Sequence, residues 1–128
     1  MSVATTEGIK ISVKTEYQAE YSSPQNMHYV FAYRIVIENI SDATVQLLRR
    51  HWYIFDSDGS IREVEGEGVV GQQPILEPGE VHQYVSGCNL KSTIGKMRGT
   101  YLMEKLMDGV KFEVLIPEFV LIPPFKLN

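Results

Sequence analysis

Three groups of residues in this chain have types and spacings that could do chemistry. The first is VEGEGVVGQQP, where Gly66, Gly68 and Gly71 form G-x-G-x-x-G. Such glycines let backbone N–H groups approach a phosphate, and a helix starting at them adds a favourable dipole. The second is Arg49-Arg50-His51-Trp52. In a strand, Arg50 and Trp52 share a side, setting a guanidinium fork beside an indole, an arrangement suited to a carboxylate or phosphate. The third, Asp56-Ser57-Asp58-Gly59-Ser60, carries oxygens like those of a calcium loop.

Each group also has a plainer reading. A dinucleotide site needs a helix after the glycines, and Pro74, Pro78 and Gly79 interrupt the residues that would form it. No acidic residue lies between Glu80 and Glu104 to take a ribose, and no Lys-Ser/Thr pair follows the glycines, so the P-loop pattern fails as well. Two readings of the stretch remain. It is a bulged connection that uses glycine's dihedral freedom, or a backbone nest whose amides hold an anion, with Glu65 and Glu67 pointing outward. The calcium loop would begin at Ile54, which has no oxygen to donate, so Asp56 to Gly59 reads as a hairpin turn. For Arg50 the plain reading is a side chain reaching the sheet edge beside a core tryptophan.

Nothing else forms a site. His28, His51 and His82 are far apart and have no His, Asp or Glu at a ligand spacing. Cys88 sits in a loop after Gly87 without a neighbouring histidine and reads as structural. We therefore expect no catalytic residues, no metal site and no cofactor.

The elements that would position these residues are strands. Ile9, Ile11 and Val13 alternate with polar residues, and Tyr29 to Ile37 alternate over a longer run that reads as a central strand. In VQLLRRHWYIF, Leu48, Arg50, Trp52 and Ile54 share one side, while Leu47, Arg49, His51, Tyr53 and Phe55 share the other. Ile61 to Val64 return as a hairpin partner, Val81, Tyr84 and Val85 make a further strand, and GTYLMEKL and VKFEVLI follow around Asp108-Gly109. The tail PEFVLIPPF is extended. No stretch has helical periodicity, so the expected fold is all-β: an antiparallel β-sandwich of seven to eight strands.

At 128 residues, with 44% apolar and 22% charged residues, the chain has the makings of one globular domain over residues 1–128. A net charge of −4 gives no basic field, so neither nucleic acid nor an anionic membrane is expected as a partner. A lone cysteine and an N-terminus without a basic-then-apolar pattern lead us to expect a cytoplasmic location.

The pieces SSPQNMHYVFAY, VQLLRRHW, VEGEGVVGQQPILEPGE, YVSGCNL, IGKMRGTYLM and FEVLIPEFVL, in this order, resemble the ApaG family over nearly the whole length. The resemblance implies a fibronectin type III-like, immunoglobulin-like sandwich without established enzymatic activity. Bacterial members are associated with a diadenosine tetraphosphate hydrolase, cobalt resistance and magnesium efflux; similar eukaryotic domains look like protein-interaction modules. The family's pyrophosphate motif falls on Gly66, Gly68 and Gly71. Arg49 departs from the small residue common at its position, and Glu65 adds negative charge before the motif. The implied role is a protein-binding module. The alternative is a site for pyrophosphate or a dinucleoside polyphosphate at the glycines, helped by Arg50 or Arg62.

Overall fold

The computed structural model describes residues 1–126. Nine strands run β1 Ser2–Thr6, β2 Ile9–Tyr17, β3 Tyr29–Asn39, β4 Val45–Asp56, β5 Ile61–Glu67, β6 Ile75–Leu76, β7 Val81–Leu90, β8 Gly95–Lys105 and β9 Lys111–Leu121. They form two antiparallel sheets, ordered β1-β2-β3-β7 and β5-β4-β8-β9, with β6 on the same side of β4 as β5. The expected sandwich is therefore present, and β3 is central as its apolar alternation implied. The strands that the sequence reading did not identify are β1, whose residues are half-buried or exposed, and β6, which is two residues long. Neither leaves a period-2 pattern to read. Without them the order is β2-β3-β7 against β5-β4-β8-β9, the fibronectin type III-like arrangement.

The inner faces supply one core: Ile9, Ile11, Phe31, Ile35, Ile37, Leu47, Trp52, Tyr101, Met103, Val114 and Leu121 are among its buried members. Removing these apolar side chains from water is the main force holding the sheets together. Asn39 is fully buried at the end of β3. Its amide donates to the carbonyls of Ala43 and Leu76, and its carbonyl accepts from Ser41, so three chain segments meet on one side chain.

Two strands change sides partway, and no simple alternation predicts this. Leu47 pairs with Met103 of β8 but Arg49 pairs with Leu102, so Leu48 is an extra residue and β4 bulges there. Leu47 is buried before the bulge; Trp52 and Ile54 are buried after it. Leu48 thus does not share the side of Arg50, Trp52 and Ile54. In β9, Met97 pairs with Phe119 and Gly99 with Ile116, which leaves an extra residue around Pro117. The bulge accommodates a proline that could not donate to a ladder, and the extended segment after it continues the strand to Leu121.

The β7 segment also differs from expectation. Gly87 to Leu90 are strand, not loop, because Gly87 pairs with Ala32 and Cys88 with Phe31. Val81 and Val85 face outward, and the half-buried Tyr84 and Ser86 take the inner positions. That edge of the core is polar.

Candidate functional site

The bulge at Leu48 decides the site, because it brings Arg50 to the inner side. In the ladders Arg50 lies between Gly66 of β5 and Tyr101 of β8. Its guanidinium lies across β5, where Nη1 donates to the carbonyl oxygens of Glu67 at 2.9 Å and Gly68 at 3.0 Å. This is possible only over glycine: a Cβ at Gly66 would stand 2.8 Å from Nη2. Among the described residues no carboxylate lies within ion-pair distance of Arg50. A half-buried cation is thus held by neutral acceptors alone.

The rest of the glycine motif is a small excursion beside the bulge. The Leu48 carbonyl accepts the Gly68 N–H at 2.8 Å and the Gln73 side-chain amide at 2.9 Å. Between those anchors Val69 and Gln72 exchange backbone hydrogen bonds of 2.8 and 3.0 Å around Val70 and Gly71, whose φ angles of 47° and 76° fit a type I′ turn. Gly68 has φ 61°, and a Cβ there would collide with the Gln72 carbonyl. The N–H groups of Gly68 and Val69 are therefore engaged within the chain, and the three glycine amides do not converge on one point. Val70, β-branched, exposed and left-handed, is strained by about 1–3 kcal/mol.

Arg50, Trp52, Val69, Val70, Tyr84 and Ser86 surround a cleft of about 230 Å³ between the sheets, with Tyr33 in its wall. Tyr84 and Tyr101 share a hydroxyl–hydroxyl hydrogen bond, and Ser86 pairs with Tyr33 across β3 and β7. Burial pushes the hydroxyls of Tyr33, Tyr84 and Tyr101 above their ordinary 10.0, and the positive charge of Arg50 offsets part of that rise at each. The cleft thus gathers one uncompensated cation and several neutral hydroxyl groups. Such a set suits an anion with several acceptor oxygens. Tyr33, Tyr84, Ser86 and Tyr101 escaped the sequence reading, since β-strand residues so far apart meet only through the fold.

Arg62 lies elsewhere. It pairs with Ile54, four residues up β5 from Gly66 or about 13 Å along the strand. There it donates to the Asn89 carbonyl and approaches the Cys88 sulfur at 3.7 Å, bridging the β5 and β7 edges. Cys88 is buried, and that burial raises its thiol despite Arg62. The Asp56 to Ser60 segment is a hairpin turn, in which Asp58 accepts from the Ser60 N–H and hydroxyl at 2.8 and 2.6 Å.

On the opposite side of β4, His51 has partners its sequence neighbours do not supply. Its Nε2 meets Glu63 at 2.6 Å and its Nδ1 meets Glu65 at 2.9 Å, and the ring stacks on Tyr53 at 4.6 Å. The hairpin pairing of β4 and β5 brings them together, a contact the spacing of the sequence conceals. The two carboxylates sit on opposite edges of the ring, so they cannot converge on a metal. Among the described residues no cluster of three or more His, Cys, Asp or Glu side chains could hold one. Both ring nitrogens are engaged, which leaves neither directed at a substrate as a base. No described helix is long and apolar enough to cross a membrane.

Fold and site together define a fibronectin type III-like β-sandwich with a glycine-marked excursion beside an arginine-bearing cleft. The ApaG domain matches residues 19–105. Proteins named ApaG from Dechloromonas aromatica and Thiobacillus denitrificans are 46% and 50% identical, covering 100% and 94% of both this chain and their own lengths. The chain belongs to the ApaG family. A crystal structure of a Bordetella pertussis protein described as ApaA superposes with a TM-score of 0.88 at 46% identity, over 91% of this chain and 94% of that one. An Archaeoglobus fulgidus protein with 11% identity and a TM-score of 0.53, over 88% of this chain and 95% of that one, shares the fold alone.

Proposed function

We propose that the chain is a non-enzymatic cytoplasmic binding module whose cleft at Arg50 takes a phosphate-containing anion, pyrophosphate or the polyphosphate of a dinucleoside polyphosphate. One observation carries this reading: Arg50 is half-buried with no carboxylate beside it among the described residues, in a cleft lined by hydroxyl-bearing side chains. Leaving a cation in such a position without a counter-charge is costly, and a bound anion removes that cost. The glycines contribute mainly by shape. Gly66 makes room for the guanidinium, and Gly68 permits the turn that raises Val69 and Val70 as one wall. Arg62, about 13 Å along β5, is no part of this reading.

Calorimetric titration with pyrophosphate, orthophosphate and diadenosine tetraphosphate tests it. Saturable binding that Arg50→Met weakens at least tenfold supports the reading; equal heats from the two proteins overturn it.

A second reading, a module for a protein partner, is favoured by half-buried aromatic rings and the cations over them on the outside of the second sheet. Under either reading a link to cobalt or magnesium homeostasis is indirect, through the bound ligand or partner.

A further inference from the structure

The outward side of the second sheet carries a stacked row. Tyr53 and Phe55 of β4 pair with Arg98 and Lys96 of β8. The Arg98 guanidinium lies 4.9 Å from the Tyr53 ring centre and 5.5 Å from that of Phe55, so both rings hold it in place. Lys96 rests over Phe55 at 5.4 Å and has Glu118 at 3.6 Å. Arg98 differs. Among the described residues it has neither a carboxylate within ion-pair distance nor a side-chain hydrogen bond. Its orientation is fixed in advance while its N–H groups stay free, which lowers the entropic cost of a new contact.

Two mostly apolar depressions flank this arginine. One, of about 260 Å³, runs past Gly99 and Thr100 to Leu115 and Pro117 and also touches Glu118, whose carboxylate pairs with Lys96. The other, of about 270 Å³, runs past Gly95 and Lys96 to Ile94 and Val120. Leu115 and Val120, on the outward side of the edge strand β9, are 58% and 54% exposed. Along β8 the depressions are four residues apart, about 13 Å. In an extended peptide, side chains at positions i and i+4 have the same separation and the residue at i+2 projects between them on the same side.

We infer that this face docks an extended segment of a partner protein with the pattern apolar-x-acidic-x-apolar. The Asp or Glu pairs with Arg98, and the two apolar side chains fill the depressions. The inference deepens the protein-binding reading and is independent of the Arg50 cleft. An aromatic-supported arginine between apolar pockets has the composition that concentrates binding energy at interfaces. Charge complementarity selects the central residue, since an acidic side chain supplies what Arg98 lacks.

Random heptapeptides displayed on phage and selected against the full chain provide the test, followed by NMR titration of an enriched peptide. The expected peptides carry the pattern and shift the amides of Lys96 to Thr100 and the Arg98 side-chain N–H. Arg98→Met, and alanine for the acidic residue of the peptide, each weaken binding at least tenfold. Arg34→Met, on the outside of the other sheet, changes nothing, and circular dichroism checks that each variant is folded. Peptides that bind but shift residues elsewhere overturn this docking face and leave a protein-binding role standing. A selection that enriches nothing overturns both. A dimer of the chain that Arg98→Met disperses assigns the face to self-association and also overturns the inference.

Discussion

Arg50 and His51 are neighbours in sequence and opposites in structure. Arg50 points between the sheets, where carbonyl groups hold it and, among the described residues, no carboxylate does. His51 points outward and has a glutamate on each ring nitrogen. The same hairpin, β4 with β5, supplies both environments. Its acidic residues Glu63 and Glu65 all project to the His51 side, and the glycine at position 66 opens the Arg50 side. An ionisable residue that the fold has neutralised is structural, and one left uncompensated in a cleft is available for binding. Types and spacing alone do not separate the two.

Within the motif, the comparison breaks most completely at Gly68. Alanine there must move backbone, because its Cβ meets the Gln72 carbonyl at a positive φ. We expect Gly68→Ala to cost about 3 kcal/mol and to lower the melting temperature by roughly 10 °C. Gly66→Ala meets only the end of a flexible side chain, so it costs about 1 kcal/mol but displaces Arg50 and weakens anion binding. Thermal melts of both variants, with and without pyrophosphate, separate the roles of the two glycines. A Gly66→Ala protein that binds like wild type contradicts the shape argument.

Alkaline pH sharpens the contrast next. Tyr33, Tyr84 and Tyr101 ionise in the unfolded chain near 10.0 and higher in the folded one, chiefly through burial. Above about pH 10 the unfolded chain therefore releases tyrosine protons that the folded chain keeps, so stability falls steeply from that point, after a smaller fall that begins near pH 9 as the buried Cys88 thiol does the same. Urea midpoints should be flat from about pH 7 to 8, slip slightly around 9 and decline steeply beyond about 10. Tyr101→Phe should flatten the decline, whereas Tyr21→Phe, at a side chain 66% exposed, should leave it as steep. A wild-type midpoint flat to pH 11.5 contradicts the buried hydroxyl cluster.

The smallest effect belongs to His51. Its glutamates are more than half exposed, at 56% and 60%, where solvent and salt screen an ion pair. His51→Gln should change stability by no more than about 0.5 kcal/mol and leave phosphate binding intact. A tenfold loss of binding would place the anion on the outer face.

The sheets were legible wherever one side of a strand is apolar: Ile9 to Val13 and Tyr29 to Ile37 declare themselves by alternation alone. The turn at Asp56 to Gly59 was equally plain from its side-chain chemistry. The site was legible only in part. Arg50, Gly66 and Gly68 stand out by type, and Arg50 shares the side of the core Trp52 as alternation implies, yet the bulge that takes Leu48 off that side has no signature in residue spacing. Tyr84 and Ser86 were hidden because β7 reverses the usual rule, with valines outside and hydroxyls inside. Arg62 is close to the glycines in sequence, but a strand carries it away at about 3.3 Å per residue.

The central claim is that the Arg50 cleft takes an anion. NMR titration with pyrophosphate, following the Arg50 side-chain N–H and the amides of Gly66, Gly68, Tyr84 and Ser86, tests it most directly. Saturable shifts concentrated on these groups are the predicted result. Their absence at millimolar pyrophosphate, or shifts confined to Arg49, His51 and the outer face, would contradict it.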